Sequence, residues 1–160
     1  MLGDQVGTQF VVFKLGKEEY GFEVSVVREI HTMDVVAKVH RSADYIEGVT
    51  NLRGKLLTVI NLRKRFGMEP KPGGEGSSKV IVVDSPTAPV GFMVDEVLEV
   101  ARIEKGSIEE APSYIVKGIE SEYVTGIAKI DERLITLIDP LMVLQLESEP
   151  EKAQGGDTSV

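Results

Sequence analysis

Short runs of apolar and β-branched residues, separated by turns rich in Gly, Asp and charged residues, cover most of this chain. Their length and alternation are typical of β-strands, and few segments have the spacing of an amphipathic helix. One short helical turn is predicted at Val24–Ile30. The predicted strands are Gln9–Leu15, Glu19–Glu23, Asp34–Val39, Tyr45–Asn51, Lys55–Ile60, Lys79–Asp84, Val90–Val94, Val97–Ile103, Tyr123–Ile130 and Arg133–Ile138.

The apolar pattern of the first half returns in the second half without a gap. One set of segments recurs 70 positions later and another recurs 78 positions later, and each matched residue keeps its apolar or turn character. Both halves are therefore expected to build the same small β unit from the same buried positions. The paired segments are Phe10–Phe13 with Val80–Val83, Gly21–Phe22 with Gly91–Phe92, Gly48–Val49 with Gly126–Ile127, and Leu56–Asn61 with Leu134–Asp139.

Similar helix caps follow the last strand of each half. Asn61 can accept hydrogen bonds from the free N–H groups of a helical turn at Leu62–Phe66, which Gly67 can end in a left-handed conformation. In the second half Asp139 precedes Pro140, and a proline suits the first helical position because no amide donor is needed there. The two caps support the duplication independently of the strands.

Composition limits the partners and the location. With 18 basic and 26 acidic residues among 160, the net charge is -8, which would repel nucleic acid. The chain has no cysteine, no signal-like first segment and no apolar run long enough to span a membrane, so a cytoplasmic protein is expected. A single domain is expected over residues 8–146, followed by a disordered acidic tail at 147–160.

Few residues could carry catalysis or hold a metal. A hydrolase built on a double β-barrel would need a serine activated by a histidine, yet only His31 and His40 are present and no Gly-Xaa-Ser-Xaa-Gly motif occurs. The histidines lack acidic partners at metal-ligand spacing, and segment 73–79 lacks the Gly-Lys-Ser/Thr end of a phosphate-binding loop. No catalytic residue, metal site or cofactor is predicted. The adjacent acids Asp95 and Glu96 are expected to be solvated strand edges.

The two halves differ in charge at the tip of the repeated hairpin. The first half has Arg53 and Gly54 where the second has Asp131 and Glu132. Either this turn is an exposed and tolerant position, or Arg53 is a planar, multi-donor anchor at an interface. The segment Val27–Glu29 has a similar pair of interpretations, as a half-buried turn or as the rim of a groove.

Several motifs, in order along the chain, resemble those of the CheW family, the coupling proteins of bacterial chemotaxis. The most specific is Glu47–Gly54, which is followed by an apolar strand and Asn61–Arg63. The resemblance runs from about Thr8 to Leu146. The supporting motifs are Phe13–Gly16, Glu19–Gly21, Val27–Ile30 and Val90–Asp95.

The resemblance implies an all-β adaptor without catalytic activity, with two SH3-like five-stranded β-barrels around a shared hydrophobic core and short helices. It implies two partners: chemoreceptor cytoplasmic tip helices in the groove between the barrels, and the regulatory domain of the histidine kinase CheA on the barrel surfaces. The protein would be recruited to receptor arrays without entering the membrane. An alternative is a CheW-like module of a larger two-component signalling protein. The implied protein-binding residues are Val27, Glu29, Asn51, Arg53 and Gly54, with Gly91, Val97 and Val100 as further groove positions.

Overall fold

The computed structural model describes residues 7–32, 37–39, 43–69, 78–110 and 123–144. Within these ranges the chain is built almost entirely of strands. Short helices are α1 (Leu62–Arg65) and α2 (residues 140–144), and single 3-10 turns occur at Val24–Val26 and Lys105–Ser107. The strands are β1 (Thr8–Leu15), β2 (Glu18–Glu23), β3 (Val27–Thr32), β4 (Ile46–Leu52), β5 (Lys55–Asn61), β6 (Lys79–Val83), β7 (Val90–Val94), β8 (Glu96–Ile103), β9 (Ile108–Glu109), β10 (Val124–Ile130) and β11 (Arg133–Ile138).

The strands form two sheets, and each sheet contains strands from both halves of the sequence. The order is β8-β1-β2-β11-β10-β9 in the six-stranded sheet and β3-β6-β7-β5-β4 in the five-stranded sheet. The first hairpin of each half joins the last strand of the other half in parallel, β2 beside β11 and β7 beside β5. The chain crosses between the sheets at Val24–Val26 and at Asp95.

The β-bulges of the two sheets lie at positions that are equivalent in the sequence repeat. A β-bulge lies in Val27–Glu29 of β3, and its counterpart lies in Val97–Glu99 of β8. A second bulge lies in Ile46–Gly48 of β4, and its counterpart lies in Val124–Gly126 of β10. A bulge bends its strand and increases the local twist, which helps a sheet to curl into a barrel. The predicted duplication is therefore confirmed, and the six-stranded barrel adds only the two-residue strand β9 to the expected five.

The first strand of each half of the repeat, β1 or β6, is buried on both faces, which explains the unbroken apolar runs in these two strands. On β1, Val11 and Phe13 face a core cluster shared by both sheets, whereas Phe10 and Val12 face the interior of the six-stranded barrel. Successive side chains point to opposite faces of a strand, so one strand serves two cores. The shared cluster consists of Val11, Phe13, Leu15, Tyr20, Phe22, Ile60, Leu62, Phe66, Ile81, Val83, Phe92, Val94, Tyr123, Ile138 and Val143.

Equivalent aromatic residues of the two halves meet at the centre of the shared core. Phe22 on β2 and Phe92 on β7 contact each other edge to face, with ring centroids 5.5 Å apart. Phe13 packs against Phe22 with a centroid distance of 4.8 Å. All three rings are fully buried. Residues that are equivalent in the repeat therefore contact each other across the two sheets.

A partly buried ion pair joins the barrels at the second crossing. Arg63 of α1 donates from Nε to Oδ1 of Asp95 at 2.8 Å and from Nη2 to Oδ2 at 2.7 Å. Asp95 Oδ2 also accepts from the backbone N–H of Gly16, in the β1–β2 turn, at 2.7 Å. The expectation that Asp95 is solvated is wrong, because these donors replace water at its carboxylate, while the neighbouring Glu96 is exposed as expected.

The predicted hairpins and helix caps are confirmed. The Asn61 side chain accepts from the Lys64 N–H at 3.2 Å, and Gly67 has a φ of 73° where the turn ends. In the second half Asp139 Oδ1 accepts from the Leu141 N–H at 3.0 Å. Each cap uses a short polar side chain to satisfy a free N–H group at the first helical turn.

One local prediction is wrong in part, and another falls partly on residues outside the described ranges. Of the helical turn predicted at Val24–Ile30, only the first three residues are helical, and the rest forms β3 because its backbone pairs with β6. Of the predicted strand Asp34–Val39, Ala37 forms one antiparallel bridge with Val49, and residues 34–36 lie outside the described ranges. His40, segment 73–77 and the predicted tail 147–160 also lie outside them.

We expect Phe22→Ala to lower the free energy of unfolding by about 3–5 kcal/mol, because it leaves a cavity in the core that both sheets share. Phe92→Ala should have a similar effect, and the double variant should lose less than the sum because the two rings contact each other. Urea titrations monitored by circular dichroism would measure these changes. Leu56→Ala is the control, since Leu56 is 74% exposed. A loss below about 1 kcal/mol for Phe22→Ala would contradict the shared core.

We expect Gly91→Ala to destabilise the protein by about 1–3 kcal/mol through overpacking. A Cβ on Gly91 would lie 2.6 Å from Val80 Cγ1 and 3.2 Å from Leu57 Cδ2, inside the five-stranded barrel. The matched control is Gly106→Ala, since a Cβ there would meet nothing within 4 Å. Thermal and urea unfolding of both variants would test this, and equal stabilities would show that the strands around Gly91 move apart freely.

Candidate functional site

An exposed ion pair connects the two edges of the five-stranded sheet. Arg53, in the turn between β4 and β5, donates from Nη1 and Nη2 to the two carboxylate oxygens of Glu29 on β3, both at 2.6 Å. The strands β3 and β4 are the outermost strands in the hydrogen-bonded order of this sheet. The sheet must therefore curl for these side chains to meet, and the planar guanidinium makes a two-point contact there.

The backbone of the β4–β5 turn sets the direction of the Arg53 side chain. Arg53 has a φ of 53° and Gly54 a φ of 83°, so both central residues of the turn are left-handed. This twist suits a tight hairpin, but the conformation is unfavourable for a residue with a Cβ other than Asn or Asp. Asn51 Oδ1 accepts from the Gly54 N–H at 2.9 Å and holds the turn. The equivalent turn of the second half has Asp131 at a φ of 56°.

The charge on Glu29 is stabilised by its neighbours. Hydrogen bonding from Arg53 lowers the pKa of the Glu29 carboxyl from 4.5 to about 2, against an opposing effect of burial and with a further lowering by His31. His31 Nε2 lies 3.0 Å from Glu29 Oε1. The hydrogen bond to Glu29 in turn raises the pKa of Arg53. The pair therefore presents a fixed arrangement of charge at neutral pH, with the Arg53 side chain 69% exposed.

Apolar side chains lie near this pair in sequence, on β3 and on β5. Ile30 follows Glu29 on β3 and is 39% exposed, and the exposed Leu56 on β5 lies opposite Asn51 of β4. Val27, at the start of β3, is half-buried against the shared core. We name Val27, Glu29, Ile30, Arg53 and Leu56 the β3 surface. It includes apolar side chains and a bidentate charge pair, and because Glu29 and Ile30 are adjacent on β3, their side chains point to opposite faces of the strand.

The six-stranded barrel has a matching β8 surface, which we define as Glu99, Val100, Arg133 and Leu134. Arg133 donates to Glu19 Oε1 at 2.7 Å and pairs with Glu99 Oε2 at 2.8 Å. Glu99, Val100 and Leu134 are the repeat equivalents of Glu29, Ile30 and Leu56. Val100 is 54% exposed and Leu134 is 57% exposed. Together with Ile30 and Leu56 of the β3 surface, Val100 and Leu134 are the large exposed apolar residues of the described chain other than Val39.

The residues selected from the sequence occupy four places. Glu29, Asn51, Arg53 and Gly54 come together around the β4–β5 turn. Val27 and Val97 begin β3 and β8 and are both half-buried against the shared core cluster, one on each sheet. Val100 lies on the β8 surface. Gly91 is buried inside the five-stranded barrel, where it packs against Val80 and Leu57.

The sequence did not predict that Glu29 pairs with Arg53, and it did not predict Glu99, Arg133 and Leu134 as part of a second surface around Val100. The offset of 70 positions relates Glu29 to Glu99 and Ile30 to Val100, so the repeat itself contained a signal for the β8 surface. The arginines break the repeat, because Arg133 is equivalent to Lys55 and not to Arg53. Only the folded hairpins show that both arginines reach the equivalent glutamate.

The described residues offer no group of three His, Asp or Glu side chains that could hold a metal ion. Nor does any helix in those ranges have the length and apolar character needed to cross a bilayer. His31 contacts Glu29, while His40 lies outside the described residues. The chemistry that the visible surface supports is recognition through apolar contact and paired charges.

Comparison with known proteins agrees with this geometry. The CheW-like domain family matches residues 9–148. A chemotaxis protein CheW from Klebsiella aerogenes is 36% identical over 92% of this chain and 87% of its own length. A chemotaxis protein CheW from Bacillus subtilis is 32% identical over 90% of this chain and 91% of its own.

Among solved structures, the scaffolding protein TtCheW from Thermoanaerobacter tengcongensis superposes with a TM-score of 0.75. It is 38% identical, and the match covers 83% of this chain and 89% of that one. The fold, the repeat and the level of sequence identity all indicate the same family. The chain belongs to the CheW-like family of chemotaxis scaffold proteins.

Proposed function

We propose that this chain is a cytoplasmic adaptor that couples the tips of chemoreceptors to the histidine kinase CheA and catalyses no reaction itself. The observation that supports this most directly is the Glu29–Arg53 pair, which is exposed, bidentate and placed on a left-handed backbone. The same contacts would serve a CheW-like module within a longer signalling protein.

Stability alone does not account for Arg53. Glycine or asparagine adopts a left-handed turn at lower cost, and an exposed ion pair adds little to the stability of a folded protein. Backbone strain of this kind concentrates at binding and catalytic sites, where the fold holds a side chain in a required position. Arg53 is therefore best explained by recognition, with Asn51 and Gly54 holding the turn that presents it.

The apolar residues suit a helical partner. A helix laid between the barrels would contact Val27 and Val97, each of which is half-buried at the edge of the shared core. Each aliphatic side chain that becomes fully buried contributes about 1.5–3 kcal/mol, whereas charges at the rim mainly determine partner choice and register. We assign the binding energy to the valines and the specificity to Glu29 and Arg53. Gly91 contributes indirectly, by allowing close packing against Val80 and Leu57 inside the five-stranded barrel.

The β8 surface offers a second contact on the other barrel. Val100 and Leu134 are exposed there beside the Glu99–Arg133 pair. We propose that receptor helices use the groove and that the regulatory domain of the kinase uses the barrel surfaces, so that both can be held at once. An adaptor needs two separate surfaces of this kind, and the duplicated fold provides them.

We expect Arg53→Glu to leave the fold intact and to weaken binding to a receptor-tip fragment or to the CheA regulatory domain at least tenfold. The substitution places two carboxylates side by side at the rim, so it removes the anchor and adds repulsion. Circular dichroism and isothermal titration calorimetry would measure fold and affinity. Lys17→Glu makes the same charge change in the exposed β1–β2 turn and serves as the control. Undiminished affinity for both partners would refute the assignment.

A charge exchange distinguishes direct recognition from support of the fold. We expect the double variant Glu29→Arg, Arg53→Glu to regain the ion pair within the protein but not the lost affinity, because the partner would meet the reversed charges. The same calorimetric titration tests this. Recovery of full affinity in the double variant would mean that the pair only shapes the barrel.

We expect binding to be insensitive to Glu29 ionisation between pH 5 and pH 8, the range in which the carboxylate stays charged. Its pKa is lowered from 4.5 to about 2, so the stabilisation from the pair is present above pH 4.5 and is lost as the pH falls through 2. A carbon NMR titration of the Glu29 carboxyl should show this low midpoint, and Arg53→Gln should raise it towards 4.5, while Lys17→Gln should not. A midpoint near 4.5 in the unsubstituted protein would contradict the paired geometry.

A further inference from the structure

We propose that Arg63 and Asp95 are positioning residues that fix one barrel against the other and so set the spacing between Val27 and Val97. This inference rests on the proposed function, because it concerns the groove in which a partner helix is placed. Neither residue belongs to the β3 surface or the β8 surface.

The two groove valines lie directly beside the points where the chain changes sheets. The first crossing is Val24–Val26, and Val27 follows it as the first residue of β3. The second crossing is Asp95, and Val97 follows two residues later on β8. A rotation of one barrel against the other would act at these crossings, so it would change the distance between the two valines directly.

Asp95 and Arg63 form a clamp at the second crossing. Besides the contacts to Arg63 and to the Gly16 N–H, the backbone N–H of Asp95 donates to the Lys14 carbonyl at 3.1 Å. Arg63 Nη1 donates to the Glu69 carbonyl at 2.6 Å. One carboxylate thereby joins the β1–β2 turn of the six-stranded barrel to α1 of the five-stranded barrel. The side chains are only 10% and 14% exposed, so solvent screens this clamp less than a surface ion pair.

The clamp has no counterpart in the other half of the repeat. Ser25 is equivalent to Asp95, and Leu141 is equivalent to Arg63. Ser25 donates to Glu23 in an exposed contact within its own segment, at 2.8 Å. Folding the duplicated unit therefore does not require an ion pair at a crossing. The second crossing, where Asp95 and Arg63 depart from the repeat, is where the orientation of one barrel against the other is controlled.

Arg63→Lys tests the clamp while keeping the positive charge. Lysine cannot reproduce the two-point contact or reach the Glu69 carbonyl at the same time, so the clamp loosens. The chain has no cysteine, so spin labels can be placed cleanly at Lys55→Cys on β5 and Lys129→Cys on β10, both exposed. Double electron–electron resonance on the free protein would report the distance between barrels, and calorimetry on the unlabelled variant would report affinity for a receptor-tip fragment.

We expect Arg63→Lys to broaden or shift the distance distribution and to weaken binding about tenfold, at a temperature where circular dichroism shows it folded. Arg102→Lys is the matched control, because Arg102 is exposed on β8 and belongs neither to the clamp nor to the β3 or β8 surface. If Arg63→Lys does not fold, Asp95→Asn, which keeps the size of the side chain, takes its place.

The outcomes separate the two proposals. An unsubstituted protein that binds neither the receptor-tip fragment nor the kinase regulatory domain would refute the proposed function. An unsubstituted protein that binds, together with an Arg63→Lys variant of equal affinity and unchanged distance distribution, would refute the positioning role alone. A loss of stability with no change in distance or affinity would show that the clamp is purely structural.

Discussion

Burial of central strands on both faces is the constraint on which this architecture depends. β1 and β6 each direct one set of side chains into their own barrel and the alternate set into the shared cluster. Either barrel alone would expose a row of apolar residues that includes Phe13 and Ile81, which are fully buried in the folded chain. Because exposed apolar area of this kind is costly in water, the two barrels stabilise each other and are expected to fold as one unit.

The exchange of hairpins between halves strengthens this dependence. The first hairpin of each half pairs in parallel with the last strand of the other half, so neither sheet can form from one half alone. The contact of Phe22 with Phe92 lies where the two exchanged hairpins meet. The seam between the barrels is thus filled by buried apolar and aromatic side chains that both sheets share. If the proposed groove follows this seam, its walls are held in place before a partner arrives, which favours binding because little order must be gained.

Much of the local structure was predictable because it depends on residues close in sequence. The hairpins follow from alternating apolar positions and from turn residues such as Gly54, and the helix turn follows from the cap at Asn61. The exchange of hairpins was not predictable from this pattern, since a strand that is apolar on both faces does not specify its neighbour. The same limit applies to Asp95, whose donors Arg63 and Gly16 come from distant segments, and the sequence alone suggested a solvated acid.

The candidate site was predictable in part for the same reason. Arg53 stood out because the repeated turn reverses its charge, and the resemblance to a known family supplied Val27 and Glu29. The bidentate contact between Glu29 and Arg53 required the curled sheet, which brings the two outer strands together. Duplication of the apolar framework gives two similar surfaces, and departures from the repeat make them different. The charges at the hairpin tips make the two barrels different, and the clamp that we propose at one crossing would fix their orientation. A scaffold that holds two different partners at once needs both properties, because two identical surfaces could not distinguish one partner from the other.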